Sequence, residues 1–196
     1  FERFRAGQRT AVEAAMRGQD CFILLPTGGG KSLCYQLPAI LQDGLTVVIS
    51  PLLSLVQDQV DQLRAMSIGV AYLNHSQNPA VQRDILDRIL DKASDAPVSV
   101  LFVTPERVAK SGSLGNALQH LYQDRRLRRF CVDEAHCVSQ WGHDFRRDYM
   151  NLGSLRRSFP AVPLLALTAT ATVEVCQQVQ RSLGMRDPVI HRGQFN

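Results

Sequence analysis

The chain has 196 residues, of which 45% are hydrophobic and 20% are charged, and its formal net charge is +4. This length suits one domain with a sizeable core, and the composition excludes an intrinsically disordered chain. The longest uncharged apolar run, residues 21–25, is too short to cross a membrane, so we expect no membrane partner. Because the chain opens on Phe1 rather than Met, we expect it to be part of a longer protein.

Short β-type runs alternate with helical patterns along the whole chain. Helical spacing is clearest over residues 8–17 and in the stripe formed by Val81, Ile85 and Ile89. The runs are nearly all apolar rather than alternating, which predicts strands buried on both faces of a mostly parallel sheet. Right-handed crossovers place helices on both faces, so we expect one three-layer α/β domain over residues 1–196. The predicted strands are residues 21–25, 46–50, 70–73, 98–103, 129–133, 163–167 and 188–192.

A glycine-rich loop follows the first predicted strand and precedes a helical pattern over residues 33–39. Consecutive glycines let backbone N–H groups surround an anion, and the next helix presents its positive dipole end to the same anion. Lys31 is placed to reach terminal phosphates and Ser32 to ligate Mg²⁺, although Leu25 stands where the common pattern begins with glycine. A plain turn before a helix is the structural alternative. The candidate nucleotide-binding residues are Thr27, Gly28, Gly29, Gly30, Lys31 and Ser32.

An acidic pair stands at the tip of the predicted strand over residues 129–133. Asp133 at the end of a buried strand is costly unless a cation neutralises it, and a phosphate loop brings Mg²⁺ as that cation. Glu134 is then free to orient or deprotonate an attacking water. Taken alone, this short pattern equally fits a solvated turn. Together with Lys31 and Ser32 it predicts hydrolysis of a nucleoside triphosphate.

The cysteines and basic residues bear on compartment and partners. Five cysteines without CxxC spacing argue against a zinc site or a disulfide scaffold and favour reduced thiols of the cytosol or nucleus. Residues 99–196 carry 13 basic and eight acidic side chains, whereas residues 1–98 carry nine basic and ten acidic ones. A basic second half is compatible with nucleic acid, although many solvated surfaces look alike. Arginine pairs at residues 125–126, 128–129 and 156–157 are predicted to be mostly solvated surface.

Several segments together resemble the motifs of superfamily 2 helicases. Residues 27–36, 133–136 and 168–170 are similar to motifs I, II and III, in that order. Residues 137–146 resemble the aromatic-rich loop of the RecQ DNA helicases. The sequence of residues 129–149, with residues 121–122 before it, resembles eukaryotic members more than bacterial ones. The remaining matches, at residues 4–8, 50–60 and 103–106, resemble the adenine-recognition and DNA-contact motifs of that family.

The resemblance implies roles that the residues alone leave open. Gln8 would read the adenine edge, with Arg5 close to the nucleotide, whereas position alone makes Gln8 an ordinary first-turn helix residue. His136 would complete the catalytic set and link the nucleotide site to the DNA-sensing loop, with a structural histidine as the alternative. Thr168 and Thr170 would hydrogen-bond the acidic box, residues 133–136, cap the following helix, or do both.

The aromatic-rich loop is the segment most informative about a substrate. Trp141, Phe145 and Tyr149 recur at four-residue intervals, a spacing that usually indicates core packing. The interleaved polar residues disfavour a continuous apolar face, and exposed aromatics beside arginine suit base stacking with phosphate contact. We therefore interpret this loop as facing DNA, with Gln140, Trp141, Phe145 and Arg146 as the contact residues.

The resemblance also implies a P-loop, RecA-like lobe that uses ATP and Mg²⁺ and acts on single-stranded, forked or junction DNA. The implied activity is 3′-to-5′ unwinding in recombination and repair, in the nucleus or, for a bacterial source, the cytoplasm. A second helicase lobe with catalytic arginines, a zinc-binding region and a winged helix would follow Asn196.

Two other functional classes compete with this interpretation. A DEAD-box RNA helicase shares the implied fold, but its acidic motif ends in Asp where this chain has His136. A non-catalytic nucleic-acid-binding module could also use a P-loop fold. The presence of Lys31, Ser32, Asp133 and Glu134 counts against that module.

Overall fold

The computed structural model describes residues 3–5, 7–51, 53–74, 76–94, 97–109, 112–139 and 147–193. The strands in these residues are β1 Cys21–Leu24, β2 Leu45–Ile49, β3 Val70–Leu73, β4 Val100–Val103, β5 Leu127–Val132, β6 Leu164–Thr168 and β7 Val189–Arg192. The helices are α1 Gln8–Met16, α2 Leu33–Leu41, α3 Leu53–Ala65, α4 Pro79–Leu90, α5 Pro105–Ala109, α6 Gly112–Gln123, α7 Arg147–Met150, α8 Gly153–Ser158 and α9 Val173–Leu183. A 3₁₀ helix, Ala135–Val138, follows β5.

The strands form one sheet in the order β3-β4-β2-β5-β6-β1-β7. All of the strand pairings in the described residues are parallel. The predicted α/β fold is therefore confirmed, and each predicted strand is present with small shifts at its ends. Because the strands run in one direction, the loops that follow them leave the sheet at a single edge, the carboxyl edge. Ligands of open α/β sheets bind there.

Two apolar cores lie on opposite faces of the sheet. Successive strand residues alternate between them, as Phe22 and Ile23 of β1 show. One core packs the sheet against α4, α6, α8 and α9, and the other packs it against α1, α2 and α3. Val81, expected in the apolar stripe of α4, is 48% exposed instead, because the buried residues of that helix, Ile85, Leu86 and Ile89, begin one turn later.

A buried ion pair lies at the opposite edge of the sheet, where the strands begin, which we call the amino edge. Asp20, just before β1, accepts a hydrogen bond from Arg156 Nη2 at 2.5 Å. Its carboxylate also accepts from the backbone N–H groups of Leu164, at 2.8 Å, and Arg186, at 2.7 Å. Asp20 thus ties together β1, β6, α8 and the segment after α9.

The prediction that the arginine pairs are mostly solvated surface is wrong for Arg129 and for Arg156, whose side chain is 10% exposed, while Arg126 is half-buried. Arg129 is only 2% exposed and donates to Gln42 Oε1. Arg126 donates to the backbone carbonyls at the end of α4, and Arg156 pairs with Asp20. These guanidinium groups satisfy acceptors far away in sequence, which a local pattern does not display. The exposed members are Arg125, Arg128 and Arg157.

None of the helices in the described residues is long and apolar enough to span a membrane.

Candidate nucleotide-binding site

Three functional segments meet at the carboxyl edge because β6 lies between β1 and β5. The glycine-rich loop follows β1, the acidic pair follows β5, and Thr168 ends β6. Leu24 pairs with Thr168, and the next backbone N–H, of Leu25, donates to the Thr168 carbonyl at 3.1 Å. The strand order therefore brings together residues more than 100 positions apart.

The glycine-rich loop has a backbone that requires glycine at two positions. Gly28 and Gly30 have φ values of 75° and 79°, in the left-handed region that other residues rarely adopt. A Cβ on Gly28 would meet open space, whereas one on Gly30 would lie 2.2 Å from Gln8 Nε2. Lys31 Nζ lies 3.4 Å from the Leu25 carbonyl, so its ammonium bends back over the loop. The loop is thus a curled cradle with one exposed side, as anion binding requires.

Arg5, which precedes α1, and Gln8, the first residue of α1, both bond to this loop. Gln8 is buried; its Nε2 donates to the Gly30 carbonyl at 3.0 Å, and its Oε1 accepts from the Arg5 backbone N–H at 2.7 Å. The Arg5 guanidinium donates to the Gly28 carbonyl. Gln8 is therefore more than a first-turn helix residue, because it fixes the shape of the loop. The adenine contact expected of Gln8 and Arg5 stays a prediction.

Asp133 is placed at the carboxyl edge by its backbone N–H, which donates to the Ile49 carbonyl of β2 at 2.9 Å. Its carboxylate accepts from the Glu134 backbone N–H at 3.0 Å and faces Ser50 Oγ at 3.4 Å. Burial, and next the Glu134 carboxylate, raise the pKa of Asp133 to about 6. A carboxylate whose charged form is this poorly compensated favours a nearby cation.

Glu134 and His136 turn back toward the neighbouring strand. Glu134 has a left-handed backbone with φ 47° and ψ 47°, a strained conformation that recurs at functional sites. His136 Nδ1 lies 2.8 Å from Thr168 Oγ1 and 3.3 Å from Glu134 Oε2. Because a carboxylate only accepts, a proton on Nδ1 suits both contacts. The expected hydrogen bond between Thr168 and the acidic motif is present, whereas the N-cap of α9 is Thr172.

The donor set fits Mg²⁺ better than a metal that needs many protein ligands. Within the described part of the chain, no group of three or more His, Cys, Asp or Glu side chains could hold a metal ion. Mg²⁺ needs only one or two protein oxygens when phosphates and water supply the rest. Ser32 stands at the N-terminus of α2 without capping it, and its hydroxyl accepts from Gln59 Nε2 at 2.8 Å, which leaves a lone pair of this oxygen for a cation. Asp133, with its raised pKa, is the other.

Comparison with known proteins assigns the family. Residues 5–179 match the DEAD/DEAH box helicase family. The chain belongs to the DEAD/DEAH box helicases. The chain is 51% identical over 193 residues to "ATP-dependent DNA helicase Q-like 4B" of Arabidopsis thaliana, covering 98% of this chain and 17% of that protein.

The resemblance of this DEAD/DEAH box helicase to RecQ-type helicases is confirmed by further relatives. It is 48% identical to "RecQ-like DNA helicase BLM" of Xenopus laevis, over 100% of this chain and 14% of that protein. It is 42% identical to "ATP-dependent DNA helicase RecQ" of Haemophilus influenzae, over 100% of this chain and 30% of that protein. The chain spans less than a third of the length of each of these curated relatives.

Solved structures with little sequence identity share the fold of this chain. The crystal structure of the DUF1998 helicase MrfA matches with a TM-score of 0.74 at 18% identity, over 98% of this chain and 30% of that chain. The Pyrococcus furiosus Hef helicase domain matches with a TM-score of 0.68 at 20% identity, over 96% of this chain and 38% of that chain. These neighbours support the RecA-like architecture.

The structure describes only part of the aromatic-rich loop and of the residues that follow it. Gln140, Trp141, Phe145 and Arg146 lie outside the described residues, so their expected DNA contacts stay a prediction. Tyr149, expected on the same exposed face, is 0% exposed, and its hydroxyl donates to the Asp133 carbonyl at 3.0 Å. The interpretation of Tyr149 as part of an exposed stripe is therefore wrong. It packs under the acidic motif because α7 turns it inward.

Two features of the site escaped sequence analysis. Ser50, at the end of β2, faces the Asp133 carboxylate because β2 and β5 are neighbours. Gln59 of α3 bonds to Ser32, Tyr35 and Gln36 at the start of α2. Ser32, Tyr35 and Gln36 are about one helical turn apart, so the sequence indicates that they share a face of α2. It does not indicate which helix packs on that face.

Proposed function

We propose that this chain is the nucleotide-binding lobe of an ATP-dependent DNA helicase of the RecQ type. The observation that carries the proposal is the meeting of the glycine-rich loop, the acidic motif and Thr168 at one edge of the sheet. The relatives that align over the whole chain support the substrate, because their names are those of ATP-dependent DNA helicases. The proposed source compartment is the nucleus, or the cytoplasm of a bacterium.

The loop and α1 hold the nucleotide in this proposal. The open side at Gly28 admits phosphates to the loop, and the start of α2 adds its N–H groups and dipole. Lys31 neutralises the terminal phosphates and leaves the Leu25 carbonyl to do so. Gln8 stabilises the backbone conformation of Gly30 and, with Arg5, contacts the adenine of the nucleotide. Thr27, exposed at the mouth of the loop, borders the same phosphates.

Ser32 and Asp133 would hold Mg²⁺, which neutralises phosphate charge during transfer to water. Asp133 must be ionised to do so, and the bound cation offsets the burial that raises its pKa to about 6. Glu134 stands beside Asp133 and orients or deprotonates the attacking water. His136 holds the Glu134 carboxylate from behind at 3.3 Å, which fixes its direction.

DNA sensing passes through the short segment between His136 and Tyr149 in this proposal. His136 contacts Thr168 and Glu134, and the proposed DNA-contact residues begin four positions later, at Gln140. Movement of that segment on single-stranded, forked or junction DNA would reorient His136. Thr170, whose backbone N–H donates to Thr168 Oγ1 at 3.3 Å, would carry the change to a second helicase lobe. Closure between two lobes would drive 3′-to-5′ movement.

Binding of Mg·ATP to wild type and a Lys31→Ala variant tests the nucleotide site. Loss of the ammonium should weaken binding at least tenfold, since a charge-assisted contact to phosphate disappears. A Lys92→Ala variant is the control, because Lys92 pairs with Asp124 on the surface at 2.9 Å. Thermal unfolding establishes that both variants fold. Equal ATP affinity in the Lys31→Ala variant and wild type would reject the site and favour a non-catalytic module.

A further inference from the structure

Gln59 makes three hydrogen bonds across the gap between α3 and the start of α2. Its Oε1 accepts from the Tyr35 hydroxyl at 3.0 Å and from Gln36 Nε2 at 2.7 Å. Its Nε2 donates to Ser32 Oγ at 2.8 Å. Tyr35 is 2% exposed and Gln59 is half-buried, so this small network is largely shielded from water.

The three bonds orient the amide of Gln59 and, through it, the hydroxyl of Ser32. Since two donors hold Oε1, the amide nitrogen is the atom that faces Ser32. A serine hydroxyl has one proton and two lone pairs, and the bond from Gln59 occupies one lone pair. Ser32 also hydrogen-bonds the Tyr35 side chain, which engages the hydroxyl proton, so the second lone pair is the one left for a ligand. Ser32 makes no capping bond to α2 that would compete for it.

We propose that Gln59 is a positioning residue of the metal site, which presents the remaining lone pair of Ser32 to the divalent cation. The inference rests on the proposed function, because it assumes that Ser32 ligates Mg²⁺. Groups that orient the ligands of a metal affect its affinity about 10–100-fold without touching the ion. Gln59 belongs to a helix that the sequence relates to DNA contact rather than to the nucleotide. Through Gln59, α3 would thus influence how the metal is bound.

Binding of ADP as a function of Mg²⁺ concentration tests the role of Gln59. In the Gln59→Met variant, the Mg²⁺ concentration for half-maximal ADP binding should rise about tenfold. Affinity for ADP in excess EDTA should stay within about twofold of wild type, because Gln59 acts on the metal ligand alone. Gln57→Met is the matched control, since Gln57 is exposed two positions earlier in α3 and bonds only Asp61 in the described residues, at 2.9 Å.

A double-variant cycle with Ser32→Ala shows whether Gln59 acts through Ser32. Adding Gln59→Met to Ser32→Ala should leave the Mg²⁺ dependence unchanged. A further shift in the double variant would overturn the proposal, as would a wild-type Mg²⁺ dependence in Gln59→Met. If Gln59→Met unfolds, Gln59→Asn replaces it, because the shorter amide stays polar but falls short of Ser32.

The same titration separates the two proposals. If ADP binds wild type without any Mg²⁺ dependence, or if Ser32→Ala leaves that dependence intact, the metal site itself is rejected. If both behave as expected and only the Gln59 variants match wild type, the metal site stands and the role of Gln59 is rejected.

Discussion

His136 Nδ1, just after β5, lies 2.8 Å from Oγ1 of Thr168, the last residue of the neighbouring strand β6. Thr168 Oγ1 lies 3.1 Å from the Thr170 carbonyl, to which it donates, so its lone pairs face His136 and the Thr170 N–H. The acidic motif and the segment after β6 therefore share one hydroxyl. A shift of either segment must change the hydrogen bonds of the other.

Replacing Thr168 with Val tests this coupling. Valine keeps the shape of the buried side chain but offers nothing to His136, so Mg·ATP affinity should stay within about twofold of wild type. DNA-stimulated ATP hydrolysis by the full-length protein should fall at least tenfold. Thr46→Val in β2 is the control, since Thr46 is also buried but lies near the amino edge. Normal DNA stimulation in the Thr168→Val protein would show that the contact is only structural.

Asp133 should make the metal-free protein less stable as pH rises. Its folded pKa of about 6 exceeds the ordinary 3.8, so the folded state binds the proton more tightly than the unfolded state. Ionisation between about pH 4 and pH 6 then lowers the free energy of unfolding. Without metal, Asp133→Asn should be more stable than wild type near neutral pH by up to about 3 kcal/mol, the equivalent of two pKa units. Urea unfolding across this range measures the difference, which should vanish near pH 4.

Gly7 should tolerate no side chain, because its φ is 80° and a Cβ would lie 2.1 Å from His191 Cδ2. Gly7→Ala should therefore lower the free energy of unfolding by about 2–3 kcal/mol through strain and overpacking. Gly18→Ala is the control, with φ 71° but open space around the Cβ, and should cost about 1 kcal/mol. Adding His191→Ala to Gly7→Ala should recover part of the loss. No recovery in denaturant unfolding would show that the backbone alone sets the cost.

The ion pair between Asp20 and Arg156 should dominate the stability of the amino edge. Asp20→Ala removes the charged partner of a mostly buried guanidinium and the acceptor of two backbone N–H groups, which should cost about 3–5 kcal/mol. Asp124→Ala, which breaks the exposed pair with Lys92, should change stability little. Denaturant unfolding of both variants provides the comparison. Equal losses would contradict the assignment of Asp20 as a buried hub.

The strands and the glycine-rich loop could be predicted from the sequence because their signals are local. An apolar run such as residues 46–50 indicates a buried strand wherever it pairs, and consecutive glycines before Lys31 define a loop by themselves. The order of the strands has no local signal. The position of β6 between β1 and β5 therefore emerged only from the fold, whereas the contact of Thr168 with the acidic motif was implied by the family resemblance.

The errors concern residues whose surroundings come from distant parts of the chain. Arg156 looks like a surface residue beside Arg157, yet its partner Asp20 lies 136 positions earlier. Tyr149 has the spacing of an exposed aromatic stripe, but α7 turns it toward the Asp133 carbonyl. Gln59 carries no mark of a nucleotide site, because its partners lie on another helix.

Natural substitutions at the two edges of the sheet should have different consequences. A substitution at the amino edge, near Asp20, would reduce the amount of folded protein in the cell while each surviving molecule kept its normal affinity. A substitution at the carboxyl edge, near Asp133, would leave abundance unchanged or higher and remove the chemistry. Measuring protein level and ligand affinity side by side would thus sort inherited variants of this domain into two classes, with different prospects of rescue by stabilising molecules.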